Sequence, residues 1–196
     1  MNEADQVLAE SPDDRATSAE RPEGTGRSLR SFTTAGYDKG RPVVTQALWF
    51  ATMHLVFMKW WLPARIRPAI LRAFGAEVGE RVLIRHGVRV LWPWKLTIGD
   101  DCWIGEDAWL INLEPITIEH DVCVSQGAML CTGSHDRHRA DFVYDNAPIL
   151  LRAGCWIGAR AVVLRGVEVG SEAVVAAGAV AAGNVDAGGL VRRAGS

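Results

Sequence analysis

Residues 78–90 read VGERVLIRHGVRV, residues 98–110 read IGDDCWIGEDAWL, and residues 118–130 read IEHDVCVSQGAML. Aligned with an offset of twenty, they set Val78 under Ile98 and Ile118, Ile84 under Ile104 and Val124, and Val90 under Leu110 and Leu130. Within each line an aliphatic residue returns every six positions, and the phase slips by two residues at Thr97 and again at Thr117. One turn of chain therefore takes three strands of six residues plus two extra at one corner. Strands stacked at about 4.8 Å would lay like residues on like and fill a narrow triangular core with three apolar ladders. The pattern predicts a parallel β-helix of hexapeptide repeats, an all-β fold.

The count resumes without slips at Leu151, Ile157, Val163, Val169, Val175 and Ala181. The fifth position of the hexad is small or compact, as in Cys102, Ala108, Ala128, Cys155, Ala161, Ala173 and Ala179. Gly79, Gly99, Gly105, Gly158 and Gly170 follow their heads, where a residue tolerant of unusual φ/ψ is expected to serve a tight corner. One interruption breaks the register. After Leu130 comes Cys131-Thr132-Gly133-Ser134-His135-Asp136-Arg137-His138, and residues 136–150 carry no hexad phase. They read as an excursion from the wall, the usual place for functional residues.

A chain of 196 residues that is 48% hydrophobic predicts one main domain with appendages. Its net charge of -2 offers no nucleic-acid footprint. Cys102, Cys123, Cys131 and Cys155 form no CxxC pair; free thiols suit a reducing cytoplasm, as does the absence of a signal-peptide pattern. Residues 1–42 hold 6 Lys/Arg and 8 Asp/Glu with few large apolar residues, which predicts a disordered tail. Residues 43–75 turn abruptly apolar and predict a helix stopped by Pro63 and a second from Ala64 to Phe74, ending at Gly75. The charge-free run Val43–Met58 is too short to span a bilayer. Two readings suit this segment: a cap on the exposed first coil, or an interfacial helix on an anionic membrane, with Lys59, Arg65, Arg67 and Arg72 beside Trp60 and Trp61. The β-helix is expected over 76–186 and a C-terminal tail over 187–196. Trp92 and Trp94 are expected to pack on the wall.

His135 sits where the regular wall gives way, and a neutral imidazole is a competent general base. Thr132-Gly133-Ser134-His135-Asp136, preceded by Ser125-Gln126-Gly127-Ala128 and followed by Trp156-Ile157-Gly158-Ala159, resembles the hexapeptide acyltransferases. Within them the chain is most similar to the colanic-acid and exopolysaccharide O-acetyltransferases, relatives of the maltose, galactoside and nodulation acetyltransferases. The resemblance implies a left-handed β-helix, a homotrimer with active sites between subunits, and acetyl-CoA lying in a groove between coils. It implies direct acetyl transfer to a sugar or exopolysaccharide precursor, with His135 as general base and no metal. Asn112 matches an acceptor-binding asparagine. Trp156, Gly158 and Ala159, with Ala177 and Gly178, match the cofactor channel, and Ala182 and Gly183 match its continuation. Gly183 stands where relatives carry lysine, so Arg192 or Arg193 is expected to hold the cofactor's phosphates. Two other classes compete: a non-catalytic hexapeptide scaffold, and a metal-dependent carbonic anhydrase, for which His120, His135 and His138 lack the family spacing.

Overall fold

The computed structural model describes residues 29–34 and 36–193. From Glu77 the chain winds into three parallel sheets of five, six and five strands, each strand pairing with its counterpart one turn away. The ladders are those of the sequence alignment. Val78, Ile98, Ile118, Leu151 and Val169 stack in the first sheet. Ile84, Ile104, Val124, Ile157, Val175 and Val191 stack in the second. Val90, Leu110, Leu130, Val163 and Ala181 stack in the third. From Ile84 to Ala181 every one of these heads is buried, as are the small fifth-position residues that let the corners close. The result is a β-solenoid of about six turns. Leu190–Val191 adds a rung to the second sheet, so the solenoid runs past residue 186, where it was expected to end.

The glycines after the heads serve a purpose other than the one expected. Gly99, Gly105, Gly158 and Gly170 do not occupy the positive-φ region. A Cβ on Gly105 or Gly158 would meet a backbone nitrogen of the next coil at 2.6 Å, so these positions are glycine to let coils stack. The left-handed conformation falls two residues later, at Asp101, Asp107, Arg160 and Glu172, with φ near +57°.

The helical segment seals the first coil. Helix α1 (Val43–Thr52) continues into a π turn, Met53–Phe57, and buries Trp49, Met53 and Phe57 along one face. Helix α2 (Arg67–Ala73) ends at Gly75, φ +92°, with the Ala76 N–H returning to the Leu71 carbonyl at 3.0 Å. That closure matches the sequence expectation and the usual glycine stop. The first helical run ends at Phe57, well short of Pro63, and the Arg67 guanidinium takes up the carbonyls of Phe57 and Lys59 there.

An open solenoid end exposes a row of unpaired carbonyls. Here each sheet's edge receives a side chain from the cap: Arg72 donates to Val78, Arg67 to Ile84, and the Trp49 indole to Val90. Arg67, counted from sequence among membrane-facing cations, is 2% exposed and points the other way. The outer side of the cap stays apolar: Val43, Val44, Leu48, Phe50, Leu55, Trp60 and Trp61 are exposed. No helix among the described residues is long and apolar enough to cross a membrane.

Of the expected tail, residues 1–28 and 35 lie outside the described residues. The described part, 29–34 and 36–42, rests against the corner between the third and first sheets.

Candidate active site

The excursion after Cys131 is a β-hairpin. Ala147 N–H bonds the Thr132 carbonyl at 3.1 Å, Asp145 N–H the Ser134 carbonyl at 2.9 Å, and Asp136 N–H the Val143 carbonyl at 2.9 Å. His135 faces Tyr144 across this antiparallel pair. The base of the hairpin is fixed to the wall: the Thr132 hydroxyl donates to the Ile111 carbonyl and accepts the Glu114 N–H. Across the hairpin, the Asn146 amide oxygen accepts the Ser134 N–H. At its tip Asp136 accepts the His138 N–H and Arg139 pairs with Asp141.

This frame orients the imidazole. His135 Nδ1 lies 2.8 Å from the Phe142 carbonyl oxygen. A carbonyl can only accept, so Nδ1 carries the hydrogen, and in the neutral ring Nε2 keeps its lone pair. The Phe142 ring stacks on the imidazole at 4.3 Å between centroids, and the Tyr144 ring at 5.0 Å. Phe32, from the N-terminal segment, meets it edge-on at 5.3 Å. Phe142 adopts φ +50°, a costly conformation for a bulky residue that persists only where the surroundings enforce it. Here it turns the chain so that one residue supplies both the stacked ring and the carbonyl. Sequence reasoning singled out His135 but not the Phe142 and Tyr144 rings that stack on it; the signal was the β-forming triplet Phe142-Val143-Tyr144 in an otherwise polar stretch.

The other predicted residues divide into groups. Asn112, expected to contact the acceptor, is fully buried. Its oxygen accepts the Trp92 N–H at 2.9 Å and its nitrogen donates to the carbonyls of Trp92 at 2.6 Å and Lys95 at 3.2 Å. With its amide so engaged, Asn112 clamps the neighbouring coil. Ala182 lies beside the hairpin, lining a cavity of about 250 Å³ with Gly133, Ser134, Leu164 and Arg165. Arg165 is ion-paired with Asp145 of the hairpin. At Gly183 an added Cβ would meet nothing within 4 Å.

Gly158, Ala159, Ala177 and Gly178 gather at the corner between the second and third sheets, on the far side of the third sheet from the hairpin, and Trp156 precedes them in the second sheet. Gly158 packs on the backbone of Ala177, and Gly178 N–H bonds the Ala159 carbonyl at 2.9 Å. Arg193 Cδ lies 3.8 Å from where a Gly178 Cβ would stand, so one of the two arginines proposed for phosphate binding is near this corner. The strand Val162–Leu164 of the third sheet lies between the two corners. The Trp156 indole donates to Ser125 at 2.8 Å, and its ring is 51% exposed beside a cavity of about 470 Å³ that also includes Trp103 and Cys123.

Histidines other than His135 are engaged elsewhere, His120 with Asp121 and His138 with Arg137. Among the described residues no group of three His, Cys, Asp or Glu side chains converges as a metal site would require.

The profile of the hexapeptide repeat of succinyl-transferase matches residues 95–130 and 153–180. An Escherichia coli (strain K12) protein provisionally named as the colanic acid biosynthesis acetyltransferase WcaF is 37% identical over 154 residues, 77% of this chain and 84% of the relative. The chain belongs to the hexapeptide-repeat acetyltransferases. Solved structures agree in fold. The hexapeptide-repeat acetyltransferase VCA0836 of Vibrio cholerae, complexed with acetyl coenzyme A, superposes with a TM-score of 0.68 at 24% identity, covering 83% of this chain and 92% of that one. The maltose O-acetyltransferase of Clostridium difficile 630 superposes with a TM-score of 0.67 at 18% identity, covering 75% and 81%. Membership in this family makes the protein an acetyltransferase and sets aside both the non-catalytic scaffold and the carbonic anhydrase reading.

Proposed function

We propose that this acetyltransferase moves an acetyl group from acetyl-CoA to a hydroxyl of a sugar or exopolysaccharide precursor, with His135 as the general base. The observation that carries this reading is the bond from His135 Nδ1 to the Phe142 carbonyl, which leaves Nε2 as the proton acceptor. Nε2 takes the proton from the acceptor hydroxyl as its oxygen attacks the thioester carbonyl. The C–S bond then breaks, and the imidazolium returns the proton to the departing sulfur, so CoA leaves as a thiol. No acyl-enzyme is needed, and holding both substrates in one groove supplies proximity. A saccharide acceptor is supported by the kinship to WcaF, named for colanic acid biosynthesis. Acetyl-CoA as donor is supported by the Vibrio cholerae complex.

The assembly we infer is a homotrimer with the site between subunits. Its support is that the hairpin and the Gly158–Ala177 edge lie on opposite sides of the third sheet, so a groove containing both draws on two copies. The outer ladder Leu83, Trp103, Cys123, Trp156, Val174 and Leu190, exposed at Trp103, Trp156 and Leu190 and half-buried at the rest, is apolar throughout and suits such a contact. We place the enzyme in the cytoplasm, peripherally on the anionic inner face of the membrane. The apolar outer side of the cap and the exposed Lys59 and Arg65 support this. Salt-sensitive flotation with anionic vesicles is the expected behaviour, and no binding at low ionic strength would reduce the segment to a cap.

The decisive experiment is His135→Ala, assayed by CoA thiol release from acetyl-CoA with methyl glycosides as acceptors. Loss of a general base should lower the rate by about 10²–10⁴-fold in a protein with unchanged circular dichroism. His138→Ala, at the exposed tip, should stay within a few-fold. Near-normal turnover in folded His135→Ala protein would sink the mechanism.

A further inference from the structure

Trp92-Pro93-Trp94 was expected only to pack on the wall, yet both tryptophans make bonds beyond it. The Trp92 indole N–H donates to the Tyr37 hydroxyl at 2.7 Å, and the Trp94 indole N–H to the Lys39 carbonyl at 2.6 Å. Between them Lys95 reaches the Asp38 carbonyl at 2.7 Å and stands 5.0 Å over the Tyr37 ring. This corner therefore holds the N-terminal segment across the catalytic hairpin. There Tyr37 meets Tyr144 at 5.3 Å, and Phe32 meets both Tyr144 and His135 at 5.3 Å.

Beneath the segment is a cavity of about 260 Å³ lined by Gly36, Tyr37, Glu114, Val143, Tyr144 and Asn146. Its chemistry is specific. Two aromatic rings supply apolar wall, and a carboxylate and a carboxamide supply the polar part. Among the described residues the Glu114 carboxylate has no ion-pair partner. Asn146 spends its oxygen on Ser134, which leaves its NH2 to donate. Burial pushes the Tyr37 phenol up to about 12, so it keeps its proton. Its oxygen accepts from Trp92, and none of the described residues accepts its O–H. Donors, an acceptor and ring faces together suit a pyranose, whose C–H face lies on aromatic rings while its hydroxyls both give and take hydrogen bonds. The volume is below the roughly 300–1,000 Å³ of pockets for drug-sized ligands, so a single ring fits better than an oligosaccharide.

We propose that this cavity is the acceptor's sugar subsite and that Phe32 and Tyr37 make the N-terminal segment part of the active site. The proposal rests on the reading of His135 as the base: Tyr144 both lines the cavity and stacks on the imidazole at 5.0 Å between centroids, which joins the subsite to the base.

The test uses the full chain with acetyl-CoA and the methyl glycosides of glucose, galactose and fucose. Tyr37→Ala should raise the acceptor KM by about tenfold, with kcat and the KM for acetyl-CoA moved by less than about threefold; Tyr37→Phe should fall between. Glu114→Gln, at a side chain with no ion-pair partner among the described residues, should raise the acceptor KM in the same direction and covers the case in which Tyr37→Ala fails to fold. An unchanged acceptor KM in folded variants, with His135→Ala still inactive, overturns the subsite and leaves the function standing. Absence of saccharide-dependent CoA release by the unaltered protein, or activity in His135→Ala, overturns both.

Discussion

Gly158→Ala and Gly183→Ala add the same carbon at two positions expected to line the cofactor channel, and their surroundings assign them opposite outcomes. A Cβ on Gly158 would lie 2.6 Å from Ala177 N, 2.8 Å from Val175 O and 2.9 Å from Ala176 C. All three are backbone atoms of the next coil and cannot rotate aside. Reaching an ordinary 3.4 Å contact from 2.6 Å requires the coils to part locally by about 0.8 Å. Overpacking of this kind costs about 1–3 kcal/mol. The parting also strains the bonds Gly158 N–H to Val175 and Gly178 N–H to Ala159, now 2.8 and 2.9 Å, each worth about 1 kcal/mol. Against this, alanine restricts the unfolded chain and returns about 0.4–1 kcal/mol. The net loss is about 2–4 kcal/mol. At about 2–4 °C per kcal/mol for a chain of this size, Tm should drop by about 4–16 °C. A Cβ on Gly183 would meet nothing within 4 Å and the residue has no positive φ, so only the unfolded-state gain remains and Tm should hold or rise slightly. Thermal unfolding of the two variants beside the parent decides the matter. A Gly158→Ala protein melting within about 2 °C of the parent would refute the close-stacking account of these glycines.

Arg67→Met keeps the buried stem and strands the carbonyls of Phe57, Lys59 and Ile84. Leaving buried acceptors unsatisfied costs about 1–3 kcal/mol, and urea unfolding showing no measurable loss would contradict the capping role. The thiols separate by burial. Desolvation pushes Cys155 up to about 12 and raises Cys102, and the thiolate is the reactive form, so neither should react in the folded state at pH 8. Titration with a thiol reagent should find at most two reactive cysteines before denaturation and four after it; a third in the native protein would count against the packing described.

The solenoid was legible because its register is enforced by burial. A hexad displaced by one residue would turn Ile104 or Leu110 outward, so the apolar ladder is written directly into the spacing. The close of α2 was legible too, because Gly75 meets a local steric demand. What escaped were features set by contacts distant in sequence. Gly158 looks like a corner glycine until Ala177 is seen beneath it. Arg67 looks like a surface cation until three carbonyls surround it. Asn112 looks available to a ligand until the Trp92–Lys95 turn consumes its amide. The orienting partner of His135 is a backbone carbonyl, a group that every residue carries and that side-chain chemistry therefore cannot flag.

One signal in the sequence marks the corner that carries the candidate site, though its meaning emerges only in three dimensions. The two-residue slips at Thr97 and Thr117 both fall between a third-sheet head and the next first-sheet head: Val90 to Ile98, and Leu110 to Ile118. The same interval, Leu130 to Leu151, contains the hairpin, whereas Val163 to Val169 has the bare six residues. Three successive coils thus carry surplus chain at one corner, and the next carries none. Regular hexads would leave that corner closed and flat. The surplus of the first coil becomes the Trp92–Lys95 turn, which holds the N-terminal segment. That of the second presents Glu114, and that of the third presents His135. Asn112 and Thr132, twenty residues apart, bind each layer to the one before it. A loop alone would leave the imidazole mobile; stacked on two anchored corners, it is held in one orientation by a scaffold whose rigidity comes from the ladders beside it.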